Sequence, residues 1–418
     1  MDLPLRFDVA VHQDRYLPAG ATTVDAVVEV TALASSTVAP DAAQIVIVDC
    51  SSSMADKLAE AKRATETAID TLPDGVAFAI VAGREYAELV YPHEGLAPAD
   101  ARTRAEARRA VHGLTADGGT ALGSWLRLTG NLFLGHRAEV KHAIMLTDGR
   151  DEHETRRELA AALRSCERQF VCDARGVGDR WSGTELRLIA SALHGSADGL
   201  AHPAELADDF RSMTAVAMGK ALGAVTLRLW TPAGSAIRFV RQVFPQVDDL
   251  TGRRDEVSTR IGAYSTGAWG SEKRSFHLRL DLPPGSAGEE RLAARIGFAS
   301  GDVSLAESRV TATWTADRAS FLGADPVVAH FTGQAELAAA IQEGIAAREA
   351  GDVGLAADWL GHAVQLADRT GNRGVAALLD RLVAVVGDRV HLRAEVSDFD
   401  VELANVRSVR TVRRTSRR

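Results

Sequence analysis

The hydrophobic and polar positions near the N-terminus alternate with the two-residue period of strands that have one exposed face. The alternation covers residues 7–12 and 23–32, on either side of a turn sequence around Pro18 and Gly20. A β segment this short cannot bury a core by itself. We therefore predict that residues 1–40 contribute strands to a β-sandwich formed further along the chain.

The pattern changes at residue 41, where short apolar runs begin to alternate with segments of helical period. The run 45–49 is rich in β-branched side chains, which suits a strand buried on both faces. After it, the pattern predicts helix 54–72, strands 76–82 and 87–91, helices 99–114 and 121–134, strand 142–146, helix 154–168, strand 170–176, and helices 184–193 and 204–219. Such alternation over residues 41–221 indicates an α/β unit, with a Rossmann-like, doubly wound, mostly parallel sheet.

Beyond residue 222 the two-residue alternation returns. It is found at residues 225–230, 237–240, 276–280 and 294–298, followed by the β-prone run 310–314. With turn chemistry at Pro283-Pro284-Gly285, this pattern predicts a β-sandwich over residues 222–320. We therefore expect the α/β unit to be inserted between the N-terminal strands and the sandwich.

The helical period resumes in the C-terminal part of the chain. Residues 321–392 are predicted to form helical hairpins, with breaks at Gly351 and Gly371. The Ala/Leu-rich pair around Gly351 resembles a tetratricopeptide-like hairpin, although a stable array needs about three such repeats. Residues 393–418 end in a stretch with six arginines and no acid, so we predict a basic, disordered tail.

Composition narrows the class of protein. A chain of 418 residues is expected to hold roughly two to four domains. Its net charge of −8 argues against nucleic acid as a partner of the whole chain. No run of about 18 apolar residues occurs, and the N-terminus lacks a signal-peptide core, so no membrane partner is expected. Because Cys50, Cys166 and Cys172 do not form a disulfide framework, we expect a cytoplasmic location.

Oxygen-bearing side chains follow or precede predicted elements in three separate segments of the α/β unit. Asp49 ends the strand 45–49, Ser51 and Ser53 follow it, Thr120 precedes a helix, and Asp148 follows the strand 142–146. The carboxyl ends of parallel strands hold ligands at one edge of the sheet, so we expect these side chains to lie there together. Carboxylate and hydroxyl oxygens are hard ligands that suit Mg²⁺, Ca²⁺ or Mn²⁺.

The series Asp-x-Ser-x-Ser, then Thr, then Asp resembles the metal-ion-dependent adhesion site (MIDAS) of von Willebrand factor A domains, and all five positions are filled. The layout of residues 5–320 also resembles cytoplasmic von Willebrand A proteins of actinobacterial type. The resemblance implies that the hydroxyls coordinate a divalent cation and that the aspartates bind it directly or through water. One coordination position then stays free for an Asp or Glu of a partner protein, which implies a non-catalytic interaction adaptor.

Other functions remain open on the sequence. Asp49, Ser51 and Ser53 could simply cap the helix that follows them. A metal-dependent hydrolase or phosphatase is the main enzymatic alternative, because haloacid-dehalogenase-type phosphatases also begin with an Asp at a strand end. Those enzymes need a second carboxylate two residues later, and here that residue is Ser51. Neither a nucleophile elbow nor a phosphate-binding glycine loop is found.

A third possibility is an accessory subunit of a MoxR-type ATPase or of a kinase-linked module, by resemblance to bacterial von Willebrand A proteins. Thr411 and Thr415 lie among arginines in the C-terminal stretch. They could be targets of a kinase and be recognised by a forkhead-associated domain.

Overall fold

The structure is a computed structural model, which describes residues 4–35, 41–321, 323–386 and 389–414. Its N-terminal strands contribute to sheets that are completed by much later parts of the chain. They are β1 (Leu5–Gln13), β2 (Tyr16–Pro18) and β3 (Thr23–Ala34). β3 lies between β1 and the strand Glu272–Asp281, and β2 pairs in parallel with Val303–Thr315.

The central unit is a mostly parallel sheet. Its strands are β4 (Ala42–Asp49), β5 (Ala77–Gly83), β6 (Ala87–Tyr91), β7 (Ala97–Pro98), β8 (Val140–Thr147), β9 (Val171–Val177) and β10 (Ala197–Leu200). The order is β10-β9-β8-β4-β5-β6, with β7 also beside β5; β6 and β7 are antiparallel to β5, and the other pairs are parallel. The predicted α/β class is confirmed.

Helices cover both faces of this sheet. They are α1 (Leu58–Thr71), α2 (Ala101–His112), α3 (Leu122–Leu134), α4 (Arg156–Cys166), α5 (Gly183–Ala192) and α6 (Leu206–Met218). Successive side chains of a strand point to opposite faces. Accordingly, Ile45 and Ile47 of β4 pack in the core under α3, α4 and α5, whereas Val46 and Val48 pack under α1, α2 and α6. The buried β-branched run is thus the centre of two hydrophobic cores.

Two further sheets form a β-sandwich. The strands of this later part of the chain are β11 (Lys220–Leu222), β12 (Thr226–Trp230), β13 (Ala236–Phe244), β14 (Asp248–Asp249), β15 (Asp255–Ser258), β16 (Ile261–Ser265), β17 (Trp269–Gly270), β18 (Glu272–Asp281), β19 (Glu290–Ser300) and β20 (Val303–Thr315). Of these, β11 and β17 pair with each other in a separate two-stranded sheet. The sheet orders are β1-β3-β18-β13-β14 and β15-β16-β12-β19-β20-β2. Phe276 of the first sheet and Phe298 and Trp314 of the second share one hydrophobic core. The α/β unit therefore lies within the sequence of the sandwich.

A helical segment completes the chain. It contains α7 (Arg318–Phe321), α8 (Pro326–Glu349), α9 (Val353–Thr370), α10 (Arg373–Leu382), the strands β21 (Val383–Val386) and β22 (Arg389–Leu392), and α11 (Asp398–Arg407). The long helices α8 and α9 pack against each other. Gly351 and Gly371 follow their ends with φ angles of +80° and +69°, the left-handed conformation in which glycine commonly terminates a helix.

The prediction of a disordered basic tail is wrong for residues 393–414. Helix α11 packs on α5 and β10. Thr411 is buried, and its hydroxyl donates a hydrogen bond of 2.7 Å to the carbonyl oxygen of Val243. The arginines that suggested a solvated tail are paired, because Arg407 and Arg410 both contact the carboxylate of Asp198. Thr415 lies outside the described residues.

The three cysteines are buried free thiols. None of the helices in the described part of the chain has both the length and the apolar character that crossing a membrane requires.

Candidate metal centre

Asp49 joins two strand ends at the carboxyl edge of the parallel sheet. It is the last residue of β4 and is fully buried. Its Oδ1 accepts a hydrogen bond of 2.8 Å from the backbone N–H of Ser51, and its Oδ2 accepts one of 2.6 Å from the hydroxyl of Thr147. Burial raises the pKa of Asp49 to about 6, although these donors favour the charged form. The carboxylate thus holds the loop after β4 against the end of β8.

The hydroxyls of Ser51 and Ser53 connect this loop to Asp148. The two Oγ atoms are 3.1 Å apart, and Ser53 donates a 2.6 Å hydrogen bond to Oδ1 of Asp148. Ser51 precedes a short 3₁₀ helix, Ser52–Asp56, yet its side chain makes no capping hydrogen bond. Helix capping therefore does not account for the Ser51 hydroxyl. This hydroxyl begins a series of hydrogen-bonded side chains that ends at the buried carboxylate of Asp148.

Thr120 completes the group from a third segment. A side-chain carbon built at Gly149 would lie 3.3 Å from the Thr120 hydroxyl oxygen and 3.9 Å from that of Ser53, so both oxygens lie close to one point. The Thr120 segment is held in place by backbone hydrogen bonds, 2.8 Å from Asp117 N to Cys50 O and 3.0 Å from Ser52 N to Gly118 O. All five residues selected from the sequence are thus placed together at one edge of the sheet.

The sequence pattern did not predict a role for Lys57, yet its side chain contacts the carboxylate of Asp148. Its Nζ lies 2.9 Å from Oδ2 of Asp148 and 3.1 Å from Oδ1 of Asp56. Burial acts to lower the pKa of Lys57, but the hydrogen bonds to Asp148 and Asp56 outweigh it, and the net shift is upward. One sequence signal could have identified the residue: a cation beside the N-terminus of α1 opposes the helix dipole and needs a nearby acid.

The chemistry of these side chains fits a hard divalent cation. Two carboxylates and three hydroxyls supply only oxygen ligands, which suit Mg²⁺, Ca²⁺ or Mn²⁺ better than a soft metal. Within the described ranges, no cluster of three or more His, Cys, Asp or Glu side chains could hold a metal ion. Any ion at this edge would therefore depend on the hydroxyls. Both oxygens of Asp49 accept hydrogen bonds from the chain, so Asp49 orients the loop, and each oxygen keeps a lone pair for an ion or for its bound water.

An open cleft of about 410 Å³ adjoins this group. Its wall includes an aromatic side chain from the C-terminal helix, Phe399 of α11, whose ring lies edge-on to that of buried Trp181 with centroids 6.2 Å apart. The other lining residues include Ser53, Asp56, Lys57, Asp179 and Arg180. A larger cleft of about 750 Å³ lies on the sandwich around β12 and β19 and contains none of the five residues.

Comparison with known proteins gives a consistent result for the fold. The model of a protein family described as von Willebrand factor type A domain matches residues 43–198. A solved structure described as von Willebrand factor type A from Catenulispora acidiphila is 43% identical, with a TM-score of 0.95, over 99% of this chain and 98% of that chain.

A more distant solved structure, the ArnB paralog VWA2 from Sulfolobus acidocaldarius, has a TM-score of 0.60 and 12% identity over 96% of this chain and 97% of that chain. At that identity the similarity concerns the fold alone. A search of curated proteins found no match.

Proposed function

This chain belongs to the von Willebrand factor type A (VWA) family, and we propose that it is a non-catalytic adaptor that binds an acidic side chain of a partner protein through a divalent cation. VWA domains typically mediate protein interactions, and they often bind a divalent metal at a MIDAS. The ion supplies the positive charge that attracts the partner's Asp or Glu. Such a contact, desolvated at the centre of an interface, can dominate the affinity.

One observation supports the proposal most directly: a series of hydrogen-bonded side chains runs from Ser51 through Ser53 to Asp148, and the Thr120 hydroxyl lies beside it. In the proposed centre the three hydroxyls coordinate Mg²⁺, Ca²⁺ or Mn²⁺. Asp148 offers a carboxylate oxygen, and Asp49 holds the loop in place. The hydroxyls are neutral, so the two carboxylates balance the charge of the ion and leave it able to accept another anionic ligand.

The contacts of Asp49 favour this function over phosphoryl transfer. A nucleophilic aspartate needs an accessible oxygen, and both oxygens of Asp49 accept hydrogen bonds inside the protein. The residue two positions later is Ser51, which cannot serve as the general acid that a phosphatase of that type requires. An adaptor, in contrast, needs only a firmly bound ion with one coordination position accessible to the partner.

The net charge and the free cysteines support a class of partner and a location for the proposed adaptor. The partner is proposed to be a protein, since the net charge of −8 disfavours nucleic acid, and the buried free thiols suit the reducing cytoplasm. A kinase or forkhead-associated partner at Thr411 is a weaker candidate, because the hydroxyl is bonded to Val243 and the segment would have to detach first.

Affinity capture tests the proposal. Wild type, Ser53→Ala and Ser52→Ala are immobilised, each with Mg²⁺ and with a chelator. Ser52 is exposed and bonds to the carbonyl of Gly118, so it is a matched control from the same loop. We expect a partner retained by wild type and Ser52→Ala in Mg²⁺ and lost with Ser53→Ala or with chelator. Identical partners in every sample would contradict the proposal.

A further inference from the structure

We infer that Lys57 is an internal cation that weakens metal binding at the candidate centre and gives the loaded centre a net positive charge, which selects anionic partners. The second half of this inference rests on the proposed function. The first half concerns metal affinity alone and can be measured without any partner.

The position of the ammonium group supports this role. Lys57 Nζ lies between two carboxylates, but they differ in environment: the side chain of Asp56 is 77% exposed and that of Asp148 only 1%. Water screens the first pair and hardly reaches the second. The interaction with Asp148 is therefore the stronger one, and it engages the oxygen that Ser53 leaves free.

The surrounding backbone is shaped to admit the lysine. A side-chain carbon at Gly178 would lie 2.8 Å from Cε of Lys57, and Gly178 has a φ angle of +79°. The glycine therefore leaves the space through which the lysine side chain reaches Asp148. In addition, Lys57 Nζ is 3.5 Å from the carbonyl oxygen of Ser53. The ammonium group is thus held beside the residues of the candidate centre.

The charges predict two opposite effects. Asp49 and Asp148 together carry two negative charges, which a divalent cation would neutralise. Lys57 adds one positive charge, so the ion meets a less negative site and binds more weakly. Once the ion is bound, the charges of Asp49, Asp148, Lys57 and the ion sum to a net positive value, and the carboxylate of exposed Asp56 offsets it little because water screens it. The loaded centre therefore attracts a carboxylate more strongly. Both effects are large at short range in a poorly solvated site.

Binding of Mn²⁺ alone tests the first effect. Free Mn²⁺ is measured by electron paramagnetic resonance in titrations of wild type, Lys57→Met and Lys57→Arg. The control is Lys62→Met, which removes a lysine of the same helix whose ammonium bonds to the carbonyl of His112. We expect Lys57→Met to bind Mn²⁺ about tenfold more tightly than wild type, with the other variants close to wild type.

The outcomes separate this inference from the proposed function. If wild type binds Mn²⁺ and Lys57→Met binds it with equal or lower affinity, the proposed role of Lys57 is rejected, while the proposed metal centre is retained. If no variant binds Mn²⁺, both are wrong. If only Lys57→Met binds it, the inhibitory role of Lys57 is supported, and metal-dependent adhesion by the native chain is rejected.

Acetate tests the second effect. Each protein is saturated with Mn²⁺, and acetate is added while the water-proton relaxation rate reports the loss of water from the ion. We expect wild type to respond at an acetate concentration several-fold lower than Lys57→Met, because only wild type keeps the additional positive charge. An equal or stronger response of Lys57→Met would overturn the selection of anionic partners.

Discussion

The guanidinium of Arg150 lies 2.9 Å from Oε1 of Glu402, a residue 252 positions further along the chain. The other oxygen of Glu402 accepts a 2.7 Å hydrogen bond from the backbone N–H of Gly183, at the start of α5. Arg150 follows Asp148 by two residues. The C-terminal helix α11 is therefore fastened to the loop that carries one carboxylate of the candidate centre.

Replacing Glu402 with alanine should loosen α11. The variant leaves the N–H of Gly183 and the guanidinium of Arg150 without their acceptor. The buried hydrogen bond from Gly183 contributes about 2 kcal/mol, and the contact with Arg150, whose side chain is 59% exposed, contributes less because water screens it. We expect amide hydrogen exchange in residues 398–407 to accelerate by at least about tenfold. Glu395→Ala removes an exposed acid just before the helix and serves as the control. Equal protection of α11 in the two variants would show that Glu402 does not fasten it.

Removing one hydroxyl should weaken metal binding with little effect on folding. Calorimetric titration of Mg²⁺ into Thr120→Ala is expected to show an affinity at least about tenfold below that of wild type, because a ligand oxygen is lost. Ser52→Ala, from the same edge, should match wild type. Thr120→Ala is a cleaner test than Asp49→Ala, since Asp49 also holds Ser51 and Thr147. Unchanged affinity in Thr120→Ala would remove Thr120 from the centre.

His194 should make the protein less stable in acid. Burial, together with Arg253, Arg274 and Arg168, lowers the pKa of His194 from 6.5 to about 3. The folded protein therefore keeps this imidazole neutral, while the unfolded chain binds a proton below about pH 6.5. Its contribution to the free energy of unfolding is complete above pH 6.5 and is lost as the pH falls towards 3, by up to about 1.4 kcal/mol per pH unit.

Urea unfolding at pH 7.5 and pH 5 measures this effect in His194→Asn. Asparagine tolerates the φ angle of +55° at this position. Between the two pH values, we expect the free energy of unfolding of the variant to fall by about 2 kcal/mol less than that of wild type. The exposed His202 provides the control variant His202→Asn, which should behave as wild type does. If the free energy of unfolding fell equally in His194→Asn and in wild type, the acid sensitivity would not come from the low pKa of His194.

Gly176→Ala should destabilise the α/β unit. Gly176 on β9 pairs with Gly199 on β10, and a side-chain carbon at either position would overlap the ring of buried Trp181. Overpacking of this kind costs about 1 to 3 kcal/mol, so the thermal midpoint should fall by about 2 to 12 °C. Gly252→Ala, where a side-chain carbon meets no atom within 4 Å, should leave the midpoint unchanged. Equal midpoints for both variants would be inconsistent with this packing.

The parts of the fold that depend on local pattern could be predicted from the sequence. The β-branched run of β4 predicts a buried strand, and the residues after it already carry the Asp-x-Ser-x-Ser series. Thr120 and Asp148 were identifiable because each lies beside a regular element with a recognisable period. Parallel strands then direct all of these segments to one edge of the sheet.

The contacts that sequence did not reveal join residues far apart in the chain. Lys57 is 91 positions from Asp148, and no local pattern relates the two. Composition was misleading for residues 393–414, since arginine-rich sequence is usually solvated. Here Arg407 and Arg410 contact the carboxylate of Asp198. Glu402 accepts a hydrogen bond from the backbone N–H at the start of α5, so the C-terminal segment packs against the α/β unit.

The most direct measurement of the metal centre is an anomalous difference map from crystals of the protein grown with Mn²⁺. We expect a peak bounded by the hydroxyl oxygens of Ser51, Ser53 and Thr120 and next to the carboxylate of Asp148, and a weaker peak in crystals of Thr120→Ala grown at the same Mn²⁺ concentration. A wild-type map without a peak at this edge of the sheet, at a Mn²⁺ concentration that saturates other VWA centres, would contradict the proposed adhesion site.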